Sequence, residues 1–79
     1  MDERRLARLR WRCRRGLLEN DLILARFMET RAGTLTEDRV AMLDRLLDLP
    51  DNDLWELIAG RAEPVDATVH PLLDELRML

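Results

Sequence analysis

The sequence predicts an all-α protein, a small bundle of about five short helices that forms a single domain over residues 1–79. Apolar residues recur at helical spacing along most of the chain, and glycine or proline separates the stretches that carry them. The separating residues are Gly16, Gly33, Pro50, Gly60, Pro64 and Pro71. No stretch alternates apolar and polar residues as a β-strand would. The core is expected to be thin, because a chain this short buries only about 60% of its unfolded surface.

The first predicted helix runs from about Glu3 to Arg14, with Asp2 as its N-cap. Gly16 follows and is expected to supply the left-handed residue that ends the helix. The apolar stripe of this helix consists of Leu6, Leu9 and Cys13. We therefore expect it to bury one narrow face.

The second predicted helix covers roughly Leu18 to Arg31 and stops at Gly33. It carries two apolar stripes, which predicts the central and most buried helix. The stripes are Leu18, Leu22 and Ala25 on one side and Ile23 and Phe27 on another. Apolar surface left exposed on this helix could support a dimer.

The third predicted helix begins after Thr34 and Thr36 and continues until Pro50. Thr34 and Glu37 have the spacing of a capping box, in which a threonine side chain and a glutamate cap the start of a helix reciprocally. Its apolar positions are Val40, Leu43, Leu46 and Leu47. The outer face of this helix is acidic.

Two further helices complete the predicted bundle. Asp51 is expected to cap the fourth. The fourth helix carries Leu54, Trp55, Leu57 and Ile58, and the fifth carries Val69, Leu72, Leu73, Leu76 and Leu79. His70, the only histidine, precedes Pro71 at the start of the fifth helix, which indicates a capping or surface role and argues against general base catalysis.

The charge of the chain is divided between its two ends. All thirteen basic residues are arginine, and seven of them precede Gly16 against two acids there. They are Arg4, Arg5, Arg8, Arg10, Arg12, Arg14 and Arg15. This segment is therefore +5, and the remainder must be −8 to give the net charge of −3. The division predicts two oppositely charged surfaces that steer the encounter with a charged partner.

Trp11 lies nearly opposite the apolar stripe of the first helix, among arginines on the helical wheel. Two interpretations stay open. Either Trp11 packs on a second element while the arginines snorkel around it, or it is an exposed anchor for a partner, since Trp and Arg are enriched at binding hot spots.

The chain lacks the residues that several classes of function need. Cys13, the only cysteine, lies on the apolar stripe, which favours a small buried hydrophobe over a reactive thiolate. One cysteine also permits no internal disulfide and no multi-thiolate metal site, so we expect no metal. The sequence contains no phosphate-binding glycine loop, so it does not support direct binding of FAD or of another cofactor. The absence of a long apolar run or a leader pattern predicts a cytoplasmic protein without stable membrane insertion.

Glu19 and Asp21 follow Gly16 closely and place acids in the first turn of the second helix. One explanation is local, because acids near a helix N-terminus stabilise it by roughly 0.3 to 1 kcal/mol and can pair with Arg15. Gly16 is similarly explained as a helix stop, although a missing side chain also lets another chain's backbone approach closely.

Residues 15–19 read Arg-Gly-Leu-Leu-Glu, and this RGxxE string lies between Arg14 and Asp21, with Trp11 and Cys13 upstream. The second half continues with Leu46-Leu47, Asp51, Asp53, Leu54, Trp55 and Pro64. In both halves the chain resembles the bacterial succinate dehydrogenase FAD assembly factors, the SdhE or assembly factor 2 family. The resemblance covers most of the sequence.

This resemblance implies a five-helix assembly chaperone, not an enzyme. It implies binding to the flavoprotein subunit of succinate dehydrogenase, and of fumarate reductase in some bacteria, and promotion of covalent FAD attachment to a histidine of that subunit. Carried over by position, Arg15, Gly16 and Glu19 contact the flavoprotein, and Arg14 and Asp21 flank them. Trp11 matches the family context without an assigned role.

The chain departs from the family pattern in two places. It ends at Leu79 where many relatives carry a further tail, and the aromatic content around the fourth helix is reduced to Trp55. Two alternatives remain: a nucleic-acid-binding protein that uses the arginine-rich first helix and Trp11, and an antitoxin-type inhibitor. The acidic remainder of the chain argues against nucleic acid, which it would repel.

Overall fold

A computed structural model describes residues 3–79, and these residues form five α-helices and no strand, as predicted. Two 3-10 turns, Ala32–Thr34 and Ala67–Val69, precede the third and fifth helices. The helices are α1 (Glu3–Arg12), α2 (Leu18–Arg31), α3 (Glu37–Leu47), α4 (Asp51–Ile58) and α5 (His70–Arg77).

One core holds the bundle together. The eight-residue α5 contacts α2, α3 and α4, so it lies at the centre of the packing. Leucine dominates the buried set, which is typical of a helical core that packs by interdigitation. The buried apolar residues are Leu9, Cys13, Leu24, Phe27, Met28, Val40, Leu43, Leu46, Leu47, Leu54, Leu57, Ile58, Val69, Leu72, Leu73 and Leu76.

The prediction of two buried stripes on α2 is wrong for one of them. Phe27 is buried and Ile23 is half-buried, but Leu18 is 66% exposed, Leu22 is 62% exposed and Ala25 is exposed. The core lies against the opposite side of α2, where the fully buried residues include Leu24. Apolar spacing alone does not tell which of two stripes faces the core, and here α4 and α5 cover only one of them.

The ends of α1 and α2 differ from each other in how the chain turns. α1 ends at Arg12, two residues earlier than predicted, and its predicted cap Asp2 lies outside the described residues. Gly16 has the expected positive φ, +99°, but it turns the loop after the helix instead of terminating it. α2 ends at Arg31 as predicted, and Gly33 follows within a 3-10 turn instead of a left-handed stop.

Both predicted caps in the middle of the chain are wrong. Thr36, not Thr34, is the N-cap of α3, because its Oγ1 accepts a hydrogen bond from the amide of Arg39 at 3.2 Å. The Thr34 hydroxyl instead donates to the carbonyl of Arg31. Asp51 is the first residue of α4 and makes no capping bond, since its carboxylate is engaged elsewhere.

The acidic face of α3 lies against basic residues of α1. Arg5 pairs with Glu37 at 2.7 Å, and Arg12 pairs with Asp44 at 2.7 Å and with Asp48 at 2.8 Å. The basic and acidic surfaces predicted from the sequence are therefore partly joined within the molecule. Among residues 3–79, no helix is long and apolar enough to cross a membrane.

Candidate partner-binding corner

A loop joins α1 to α2, and we refer to residues 13–21, which comprise this loop and the first turn of α2, as the corner. The amide of Cys13 donates to the carbonyl of Leu9 at 3.0 Å, and the amide of Arg14 donates to the carbonyl of Trp11 at 3.1 Å. These bonds continue the hydrogen bonding of α1 past Arg12 into the loop. Beyond them the backbone leaves the helix and turns at Gly16.

Asp21 fixes the loop from the α2 side. Its Oδ1 accepts the amide of Arg15 at 2.8 Å, and its Oδ2 accepts the amide of Gly16 at 3.1 Å. The amide of Asp21 itself donates to the carbonyl of Leu17 at 2.9 Å. One half-buried carboxylate thus satisfies two successive backbone donors, and it does so from the first turn of α2, where negative charge is favoured.

The Arg15 side chain points into the molecule. Its guanidinium donates to the Asp51 carboxylate and to the carbonyls of Leu47 and Leu49, and its side chain is only 15% exposed. The interpretation that Arg15 pairs with Glu19 or Asp21 is wrong for the guanidinium. The forked head joins the C-terminus of α3 to the N-terminus of α4, where a cation beside terminal carbonyls is stabilising.

Asn20 belongs to this inward arrangement, although the sequence analysis did not single it out. It is completely buried, and its Nδ2 donates to the carbonyl of Asp51 at 3.0 Å. Its Oδ1 is buried without a hydrogen-bond partner among the described residues. The available signal was position, because Asn20 precedes Leu24 by four residues and Phe27 by seven, on the stripe that faces the core.

Gly16, Glu19 and Arg14 form the outward side of the corner. All three are exposed. A Cβ placed on Gly16 would meet no atom within 4 Å, so only its φ, and not internal packing, requires glycine. Within residues 3–79, neither Glu19 nor Arg14 has a side-chain hydrogen bond or ion pair. The corner therefore presents an open backbone between an unpaired acid and an unpaired base.

Trp11 is 74% exposed on the last turn of α1, next to the corner. The interpretation that it packs between elements is wrong, because the indole is exposed; that it anchors a partner stays a prediction. An indole with this exposure contributes little to the fold, and its position adds a large apolar surface beside Arg14.

The positions of Cys13 and His70 are explained by packing and by local contacts. Cys13 is buried, and burial raises the pKa of its thiol to about 11, against the opposing effect of the nearby Arg12 and Arg15 charges. The prediction of a small buried hydrophobe is confirmed. His70 is the first residue of α5, and its Nε2 lies 3.7 Å from the carboxylate of Glu63. In the part of the chain that the structure describes, no group of His, Cys, Asp and Glu side chains could hold a metal ion.

Comparisons with known proteins agree with the resemblance noted from the motif. Residues 7–79 match the family described as flavinator of succinate dehydrogenase. A protein of Ralstonia nicotianae named FAD assembly factor SdhE is 53% identical over 66 residues, which cover 84% of this chain and 70% of that protein. The protein of that name from Legionella pneumophila strain Lens is 42% identical over 81% of each chain, and that from Coxiella burnetii is 33% identical over 91% of this chain and 88% of its own.

Proposed function

Because the chain belongs to the SdhE family of FAD assembly factors, we propose that it binds the flavoprotein subunit of succinate dehydrogenase and promotes covalent attachment of FAD to a histidine of that subunit. Fumarate reductase flavoprotein is a second proposed client. FAD is then the cofactor of the client, and this chain acts as an assembly chaperone. Its bacterial relatives support action in the bacterial cytoplasm.

The observation that carries the proposal is the open outward side of the corner. The amide of Gly16 is held by the Asp21 carboxylate, yet a Cβ placed on Gly16 would meet no atom within 4 Å outside the neighbouring residues. A backbone that is fixed and uncovered suits close approach by another chain, since the partner meets no side chain and little conformational freedom is lost on binding. Glu19 lies three residues further on and offers an unpaired carboxylate to the same partner.

The residues of the corner have two proposed roles. Gly16, Glu19, Arg14 and Trp11 contact the flavoprotein. Direct contact of Arg15 with the flavoprotein stays a prediction, and so does direct contact of Asp21. The internal bonds of both side chains support a positioning role, in which they hold the loop in the shape that the client recognises.

The proposed mechanism is organisation of the client. Attachment needs the isoalloxazine ring held close to the acceptor histidine, and a partner that fixes a mobile part of the flavoprotein supplies such proximity without donating a catalytic group. The purified chain should accordingly not accelerate flavin attachment to a short isolated acceptor peptide, which has no fold to organise. Acceleration with the peptide would contradict this mechanism.

The proposal is tested in cells that lack their own assembly factor. The native chain should restore covalent flavin on the succinate dehydrogenase flavoprotein, measured by in-gel flavin fluorescence. Gly16→Arg and Glu19→Ala should each abolish or strongly reduce the signal, because the first blocks the open backbone and the second removes the unpaired carboxylate.

The chain offers a matched control for each variant. Gly60 also has a positive φ, +79°, with no atom within 4 Å of a Cβ, so Gly60→Arg introduces the same backbone strain far along the chain from the corner. Asp38 is an exposed acid at the second position of α3, as Glu19 is in α2, so Asp38→Ala removes the same helix-end charge. Both controls should retain flavin attachment. Loss in the controls to the same degree, or no restoration by the native chain, would contradict the proposal.

A further inference from the structure

The arginines of the first fifteen residues divide into two groups. Arg5, Arg12 and Arg15 form ion pairs with acids of α3 and α4. The other four are exposed, and no ion pair involves them within residues 3–79. These are Arg4, Arg8, Arg10 and Arg14. The fold therefore neutralises one side of α1 and leaves the charge of the other side available.

Two of the unpaired arginines lie on one line with Trp11. At 100° per residue, Arg4, Ala7, Arg8 and Trp11 lie on the side of α1 opposite its apolar stripe, and we name these four residues the outer stripe. All four are exposed. The outer stripe is about 10 Å long at a rise of 1.5 Å per residue. It runs directly into the corner, since Trp11 accepts the amide of Arg14.

We propose that the outer stripe binds an acidic surface of the flavoprotein client, with Trp11 packed against apolar area between the client's carboxylates. This inference rests on the proposed function and specifies the chemistry of the partner. The composition fits such a surface, because Trp and Arg are both enriched where binding energy concentrates. Arg4 and Arg8 are one helical turn apart, a spacing that suits two carboxylates about 6 Å apart.

The length and surroundings of the outer stripe favour protein over nucleic acid. A nucleic acid is an extended polyanion and needs a continuous basic track. Here the basic surface ends within three turns of helix, and the sequence from Gly16 onward has a net charge of −8, against +5 before it. A compact acidic patch can contact the outer stripe without meeting this negative surface.

The outer stripe should act mainly on the encounter with the client. Since the molecule is negative outside α1, attraction between unpaired arginines and an acidic patch turns α1 and the adjacent corner toward the client before contact. Exposed charges at the rim of an interface change association rates and salt dependence more than dissociation rates. The kinetic signature therefore distinguishes this role from a structural one.

The test measures association of the chain with purified flavoprotein that lacks covalent flavin, by stopped-flow fluorescence at low salt and near 300 mM salt. We expect the double variant Arg4→Gln/Arg8→Gln to lower the association rate constant about tenfold at low salt and to flatten its salt dependence. Trp11→Ala should instead raise the dissociation rate constant, because it removes packed apolar surface.

The double variant Arg45→Gln/Arg61→Gln is the matched control. It makes the same change in net charge at two exposed arginines outside α1, whose ion pairs with Asp66 and Glu56 lie on the surface. It should leave the rate constants within about twofold, since these arginines lie outside the outer stripe and are already paired with acids; loss of such surface pairs also costs little stability. Equal effects of the two double variants would overturn the inference while leaving client binding intact. Absence of binding by the native chain would overturn the proposed function as well.

A third outcome would assign the outer stripe to nucleic acid. Gel-shift binding of single-stranded RNA or duplex DNA that persists near physiological salt, and that is lost in Trp11→Ala, would overturn the inference. Binding seen only at low salt is the expected behaviour of a small basic helix and supports the assignment to a protein partner.

Discussion

Arg15 and Glu19 belong to the same five-residue motif and have opposite environments. The Arg15 guanidinium is turned inward onto two carbonyls and the Asp51 carboxylate, whereas Glu19 is exposed and has no side-chain partner among residues 3–79. Gly16, between them, has an amide bound to Asp21 and an uncovered Cα. The motif thus combines residues that build the corner with residues that the corner presents.

This contrast separates two meanings of a functional residue. An inward residue acts through the shape of the loop, so its loss should lower both stability and client binding. An outward residue acts by contact, so its loss should lower client binding alone. Stability and client binding, measured on the same variants, therefore distinguish the two kinds of residue.

The largest effect on stability is expected for Arg15→Ala. It leaves the Leu47 and Leu49 carbonyls and the Asp51 carboxylate without their donor, and we expect a loss of about 2 kcal/mol in the free energy of unfolding. The loss is smaller than for a fully buried pair because Asp51 remains 33% exposed. Urea denaturation followed by circular dichroism measures it.

Asp51→Ala provides the complementary test, because Asp51 lies outside the motif. If Arg15 acts by position, Asp51→Ala should lower flavin attachment together with stability, although it removes no residue of the motif. Full flavin attachment in Asp51→Ala and none in Arg15→Ala would instead assign Arg15 a direct contact with the flavoprotein.

A smaller loss of stability is expected for Asp21→Asn. The carboxylate accepts the amides of Arg15 and Gly16, and an asparagine offers one oxygen in place of two. We expect a loss of about 1 kcal/mol and faster hydrogen exchange at these two amides than at the amide of Arg39, which Thr36 caps. Unchanged exchange at Arg15 and Gly16 would mean that Asp21 does not hold the loop.

At neutral pH the smallest effect on stability is expected from the thiol of Cys13, which is buried at the start of the corner. Folding raises the pKa of its thiol from 9.0 to about 11 because the thiol is buried. Between these pH values the unfolded chain loses a proton that the folded chain keeps, so the free energy of unfolding should fall as pH rises through this window. Cys13→Ala should remove that part of the pH dependence. The native thiol should also resist a disulfide reagent at pH 8 until denaturant is added, and rapid reaction would contradict the inward packing.

The sequence was sufficient for those features that depend on local pattern. Glycine and proline predicted where the helices divide, and the α2 bounds agree with the structure. The RGxxE string in its context predicted the family. Each of these signals lies within a few residues, where periodicity and turn chemistry are decisive.

The features that could not be predicted depend on distant partners. The acceptors of Arg15 lie 32 to 36 residues away, so no local spacing indicates its inward direction. Asn20 is buried because the carbonyl of Asp51 meets it there, and asparagine ordinarily indicates surface. Leu18 and Leu22 are exposed because α4 and α5 cover the other face of α2, which is a property of the assembled bundle.

The most direct test of the division within the corner compares Glu19→Ala with Asp51→Ala in two measurements on the same samples, the free energy of unfolding and the dissociation constant for the flavoprotein. Glu19→Ala should change the free energy of unfolding by less than about 0.5 kcal/mol and weaken binding at least about tenfold. Asp51→Ala should lower the free energy of unfolding and raise the dissociation constant. If Glu19→Ala destabilises the chain as much as Asp51→Ala does, or leaves binding unchanged, the division of the corner into inward and outward residues is wrong.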